Sequence, residues 1–191
     1  MISKIAVLGA GTWGIALARM MSNSGHEVTV WSALSAEVDE LDITRRQKNL
    51  PNMEIPDEVV FTKNINEACE NKDILLFAVP SVFVRSTAKR ASEFLPEGQI
   101  IVDVAKGIEP DTLMTMSEII AEEIPQAKVV ALSGPTHAEE VARDLPTTIV
   151  AAHEDIAIAE CVQEIFTNPV MRVYTNIDVK GVELCGALKN I

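Results

Sequence analysis

The 191-residue sequence is short of cysteine, of positive charge and of long apolar runs. Its three cysteines, Cys69, Cys161 and Cys185, are odd in number, far apart and without a C-x-x-C spacing. That excludes a disulfide framework and a zinc site and points to reduced, cytoplasmic thiols; no metal is expected. Against 28 Asp and Glu stand only 16 Lys and Arg, a net charge of −12 with a pI near 4.7. Such a surface repels nucleic acid and anionic membranes, so neither is expected as a partner, and an anionic ligand must find its positive charge locally. No run approaches the roughly 18 apolar residues of a membrane span, and Met1 leads at once into a strand-like stretch rather than a leader, so no membrane insertion and a cytoplasmic location are expected. There is neither an internal repeat nor a low-complexity linker. With 48% hydrophobic residues, the chain can bury one substantial core, or one domain and part of another.

What is present is concentrated in the first thirty residues. A β-branched apolar run, Lys4–Leu8 (KIAVL), enters Gly9, Gly11 and Gly14, an amphipathic helix is expected over Thr12–Asn23, and Glu27–Trp31 (EVTVW) reads as a second strand. In this setting G-x-G-x-x-G is a dinucleotide fingerprint. Gly9 permits the tight turn, Gly11 lets a pyrophosphate approach the backbone, and Gly14 lets helix and strand pack closely, with the helix N-terminus behind them as an anion site. A ligand-free glycine turn is the plainer alternative. Beyond Trp31, where a carboxylate normally meets the ribose hydroxyls of NAD, stand Ser32, Ala33, Leu34 and Ser35. A 2′-phosphate is then not repelled and Ser32 or Ser35 can hydrogen-bond it, which favours NADP over NAD, although no arginine stands ready; both serines also suit the N-cap of a helix over residues 36–47. The basic cluster Arg45, Arg46 and Lys48 reads as a solvated helix end.

Strands are expected at residues 59–62, 73–79 (DILLFAV), 100–104, 128–132 (KVVAL), 147–152 and 171–175. Helices are expected over residues 64–70 with Asn64 as cap, from Ser81 as cap to residue 94, and over residues 112–123 and 155–166. The alternation implies an α/β fold with a doubly wound, mostly parallel sheet extended by extra strands. In such a sheet ligands bind outside the carboxyl ends of strands, which brings Pro80, Lys106 beside Gly107, and residues 133–136 (SGPT) to one crevice. Thr136 and Glu139 have capping-box spacing, so a helix and a second anion site are expected there, with Gly134 and Thr136 near the ligand. His137 is read as a helix-start residue. From Asp178, a capping residue, a last helix runs to the end of the sequence. Its Lys189 follows Cys185 and Gly186 by one turn on an apolar face, where exclusion of water favours the neutral amine; a snorkelling lysine is the alternative.

Taken together, residues 9–14 (GAGTWG), 78–81 (AVPS), 105–109 (AKGIE), 133–140 (SGPTHAEE) and 181–190 (GVELCGALKN) resemble the N-terminal part of bacterial glycerol-3-phosphate dehydrogenases (NAD(P)+) across the whole chain. The resemblance implies a dinucleotide-binding domain over residues 1–177 of Rossmann type, and over residues 178–191 the start of a helical substrate domain that continues further. It implies reduction of dihydroxyacetone phosphate, a small phosphorylated substrate, to sn-glycerol 3-phosphate for phospholipid synthesis, with NADP or NAD as cofactor and a homodimeric whole enzyme. By the same resemblance Thr12, Trp13 and Ala138 touch the cofactor, Lys106 both cofactor and substrate, Gly134 and Thr136 the substrate. Lys189 transfers the proton, with Asn190 beside it at the substrate. The family often carries a basic residue where Ser32 and Ala33 stand. Two other readings stay open: a different two-domain NAD(P) dehydrogenase such as a ketopantoate reductase, and a module that senses NAD(P)H without chemistry.

Overall fold

A computed structural model describes residues 2–188 of the chain. Eight strands form one sheet, β1 (Lys4–Leu8), β2 (Glu27–Trp31), β3 (Val60–Thr62), β4 (Ile74–Phe77), β5 (Ile100–Asp103), β6 (Lys128–Ser133), β7 (Thr147–Ala152) and β8 (Met171–Asn176). Their spatial order is β3-β2-β1-β4-β5-β6-β7-β8, and every neighbouring pair is parallel except β6 with β7. The first six strands follow the doubly wound order, in which the chain reverses direction between β1 and β4 and opens a crevice at their carboxyl ends.

Alternation along β1 explains why both faces are covered. Ile5 and Val7 enter one core with Val28, Val30 and Leu76; Ala6 and Leu8 enter the other with Leu75, Phe77 and Ile101. Period-two side chains that are apolar on both faces require a layer of helices on each side, as a parallel sheet does. On the first face lie α1 (Thr12–Asn23) and α7 (Ile156–Phe166), on the second α3 (Ile65–Cys69), α4 (Val84–Ala91) and α5 (Met116–Glu123). β1, α1 and β2 fall at the residues expected, because glycine and strand periodicity agree there. Asn64 caps α3 as expected, its side chain accepting the Asn66 N–H at 3.0 Å.

Several boundaries differ for identifiable reasons. The helix α2 (Ser35–Thr44) stops before Gln47 because Arg45 turns left-handed (φ 53°) and commits its guanidinium to the Val59 carbonyl at 2.6 Å and to Asp42. Neither Ser32 nor Ser35 caps it; the N-cap is Leu34, without a side-chain bond. Likewise Ser81 makes no cap bond, and residues 81–94 run as α4 flanked by two short 3₁₀ turns. α5 begins at Met116 rather than residue 112, since Leu113 is left-handed (φ 60°) and the capping box closes on Thr115 and Glu118. The box expected at Thr136 and Glu139 does not form: Thr136 is buried, its N–H donates to the Gly134 carbonyl at 2.9 Å, and the helix α6 (Ala138–Val141) starts after His137. A four-residue helix offers no anion site of its own, so that expectation is withdrawn. α8 (Val179–Leu188) is capped by Asp178, which accepts the Gly181 N–H at 2.8 Å. No described helix is long and apolar enough to cross a membrane.

Candidate functional site

The site begins where β1 ends. Gly9 turns with φ +123°, and a Cβ there would stand 2.7 Å from the backbone of Ala78. A Cβ on Gly14 would run into the Gly9 carbonyl oxygen. These two glycines are therefore demanded by the turn and by the contact of α1 with the strand ends. Gly11 differs: it is exposed, its backbone is extended (φ −64°, ψ 174°), and a Cβ would meet nothing within 4 Å. Packing does not explain Gly11, whereas a ligand pressed against the amino end of α1 does. The cradle fits a pyrophosphate, with the unpaired N–H groups of the first turn turned towards it. Thr12 and Trp13 open α1, both half-buried. Thr12 Oγ1 accepts a hydrogen bond from Asn49 Nδ2 at 3.0 Å, so the loop after α2 reaches across to the glycine turn.

The loops after β4, β5 and β6 assemble beside this turn. Gly9 lies on Ala78, and a Cβ at Gly107 would come within 2.9 Å of Ser81, which fixes the loop carrying Pro80 against the loop carrying Lys106. Lys106 Nζ donates to the Gly134 carbonyl at 3.1 Å, tying the β5 loop to the β6 loop. α8 closes over both: a Cβ at Gly186 would strike Ser133 Oγ and lie 3.9 Å from Lys106 Cγ. Ser133 Oγ is buried and finds no hydrogen-bond partner among the described residues. A cleft of about 480 Å³ opens there, walled by Ser133, Gly134 and Pro135 on one side and Val182 and Cys185 of α8 on the other.

Beneath Lys106 sits Asp103, the last residue of β5, only 2% exposed. Burial pushes its carboxyl well above the ordinary range and the nearby Glu183 carboxylate adds to the shift, while the Ala105 N–H, donating to Oδ1 at 3.1 Å, opposes it.

Of the residues expected at the site, the structure gathers Gly9, Gly11, Thr12, Trp13 and Gly14 at one turn. Pro80, Lys106 and Gly134 stand on adjoining loops, with Thr136 and Ala138 following from the β6 loop. Ser32 and Ala33 lie at the end of β2, next to the glycine turn through the bond from Gly9 N–H to the Trp31 carbonyl at 2.9 Å. Lys189 and Asn190 lie outside the described residues. Sequence reasoning missed Asn49, Asp103 and Glu37. Ser32 donates to the Glu37 carboxylate at 2.6 Å, so the end of β2 is not free of negative charge as its own residues suggested. A polar terminus on the apolar run of β5 was the one signal available for Asp103.

Strand order, glycine turn and converging strand-end loops define a Rossmann-type dinucleotide-binding domain. The chain belongs to the family described as NAD-dependent glycerol-3-phosphate dehydrogenase N-terminus, which matches residues 4–159. Over its whole length it is 70% identical to a glycerol-3-phosphate dehydrogenase [NAD(P)+] of Lactobacillus delbrueckii subsp. bulgaricus and 50% identical to that of Agathobacter rectalis. It covers 58% and 57% of those proteins, so it spans rather more than half the length of the relatives it matches. The crystal structure of a glycerol-3-phosphate dehydrogenase from Coxiella burnetii superposes with a TM-score of 0.93 at 32% identity, over 99% of this chain and 58% of that one.

Proposed function

We propose that the chain is the cofactor-binding part of an NAD(P)-dependent glycerol-3-phosphate dehydrogenase, acting in reduction of dihydroxyacetone phosphate to sn-glycerol 3-phosphate. The observation that carries this reading is the junction of Lys106, Gly134 and Gly186, which brings three chain segments together beside a glycine cradle. The relatives' names supply the substrate and the cofactor pair.

A bound nicotinamide supplies the hydride. Gly9, Gly11 and Gly14, with Thr12 and Trp13, hold the dinucleotide at the amino end of α1, and Pro80 and Ala138 flank it. The Lys106 ammonium holds the phosphorylated substrate with Gly134 and Thr136 and stabilises the oxygen on which negative charge develops. Lys189 gives that oxygen its proton and, in the reverse direction, takes it back as neutral amine, with Asn190 fixing the substrate beside it. The support for Lys189 is family resemblance, together with the run of α8 over Lys106 as far as Gly186.

Residues 1–177 form the dinucleotide domain in this proposal, and residues 178–191 lead into a helical domain that completes the substrate site, consistent with the greater length of the relatives. We further propose a cytoplasmic, homodimeric whole enzyme serving phospholipid synthesis, without nucleic-acid partners. Family membership favours dihydroxyacetone phosphate over ketopantoate, and the lysine junction favours chemistry over sensing.

A chimera that continues this chain with the remainder of the Lactobacillus relative provides the test. Oxidation of NADH or NADPH on adding dihydroxyacetone phosphate, and not on adding ketopantoate, is expected. Cofactor binding with no turnover of dihydroxyacetone phosphate would leave the sensing module standing instead.

A further inference from the structure

The carboxylate missing from the sequence at the end of β2 arrives from α2. Ser32, the first residue after the strand, is 6% exposed and directs its hydroxyl proton to Glu37 Oε2 at 2.6 Å, the length of a charge-assisted O–H···O⁻ bond. Ser32 Oγ in turn accepts the Leu34 N–H at 3.2 Å. Glu37 stands in the first turn of α2, half-buried, and the bond draws its carboxylate back onto the strand end. That end adjoins the glycine turn through the Gly9 to Trp31 backbone bond.

Two consequences follow from this one contact. A serine hydroxyl has a single proton, and this one is spent on Glu37, so Ser32 has no donor left for a phosphate. The carboxylate also occupies the region where a fold of this kind receives the adenosine ribose, and where an acidic residue accepts hydrogen bonds from the ribose hydroxyls. Among the described residues no lysine, arginine or histidine pairs with Glu37. Four cations of the surrounding elements are engaged elsewhere: Arg45 with the Val59 carbonyl and Asp42, Arg46 with Glu54, Lys63 with Asp39, and Arg90 over the Trp31 ring at 5.1 Å.

We propose that Glu37, held in place by Ser32, makes this chain select NAD over NADP, by accepting the ribose hydroxyls of the first and repelling the 2′-phosphate of the second. The assignment rests on the cofactor-binding reading above. It reverses the preference for NADP that Ser32 and Ala33 suggested as a bare sequence.

Titration of the 191-residue chain with NADH and with NADPH, followed by calorimetry, tests it without any turnover. NADH is expected to bind at least about tenfold more tightly, since a like-charge contact is what excludes the other nucleotide. Glu37→Gln keeps an oxygen for Ser32 but removes the charge, and is expected to narrow the ratio at least about fivefold, chiefly by gaining NADPH affinity; Glu37→Lys should invert it. Thermal melts confirm that both variants fold. NADPH binding as tightly as NADH in the unchanged chain, or an unaltered ratio in both variants, overturns the role of Glu37 and leaves the cofactor-binding reading intact. Binding of neither nucleotide removes that reading, and this assignment with it.

Discussion

Glu183 of α8 accepts two hydrogen bonds from Ser117 of α5, from its N–H at 2.8 Å and from its hydroxyl at 2.5 Å, with both residues buried. Ser117 is in the first turn of α5, where backbone N–H groups lack intrahelical partners, so a carboxylate from 66 residues further on completes the cap that Thr115 and Glu118 begin. The bond fastens α8 to the sheet domain and so holds Gly186 over Lys106.

Glu183→Ala removes that acceptor and leaves the Ser117 donors unpaired, at a cost of about 1–3 kcal/mol. For a chain of this size the melting temperature should drop by roughly 2–10 °C. Glu183→Gln keeps one oxygen and should lose less. Calorimetric melts of the three proteins check the order; equal melting temperatures for wild type and Ala variant would show that Ser117 does not depend on Glu183.

Asp103 should make stability depend on pH. Burial raises its folded pKa above the unfolded value, so the stabilisation from its neutral form is fully present below about pH 4 and is lost as pH rises through the folded pKa. Asp103→Asn retains an oxygen for the Ala105 N–H and carries no charge. The variant is therefore expected to melt higher than wild type at pH 7, with the gain shrinking as pH falls towards 4. Melting curves at both pH values check the sign, and a gain that is largest at pH 4 would contradict it.

How far the sequence could be read depended on whether local signals agreed with tertiary ones. At residues 4–31, strand period, glycine spacing and helix period all point to the structure observed. The T-x-x-E spacing occurs at both Thr115 and Thr136, and only the first closes into a capping box. The second is lost because Thr136 is buried in a tight turn on Gly134, a fact of packing that spacing does not encode. Lys106 was legible from its place at a strand end. The Ser32–Glu37 bond was not, since the carboxylate enters from a helix turn five residues on and not from the strand end itself. Glu183 gave no signal either, because its partner lies on a distant helix.

The three glycines of the turn should separate under substitution. Gly14→Ala forces a Cβ onto the Gly9 carbonyl, backbone against backbone, and should destabilise by about 3 kcal/mol or more. Gly11→Ala meets open space in an ordinary extended conformation and should change stability by no more than about 0.5 kcal/mol. Yet the same methyl group would stand between the helix end and a pyrophosphate, so NADH binding should weaken at least about tenfold. Paired melts and titrations check both halves. Undiminished NADH binding in Gly11→Ala would move the dinucleotide away from this turn.

Lys106 carries the heaviest chemical burden assigned to any described residue, and its removal should read out in turnover before binding. In the chimeric whole enzyme, Lys106→Met keeps the aliphatic stem and deletes the charge, so kcat/KM for dihydroxyacetone phosphate should fall about 10²- to 10³-fold, the usual cost of losing one donor to a developing oxyanion. Lys106→Arg should recover little, because a planar fork cannot replace a point charge that also donates to the Gly134 carbonyl. NADH affinity should change by no more than about fivefold, the worth of one solvated charge contact. A loss confined to NADH affinity would make Lys106 a cofactor contact alone, and the stabilisation of the substrate oxygen would then have to come from another donor at the mouth of the cleft beside Ser133.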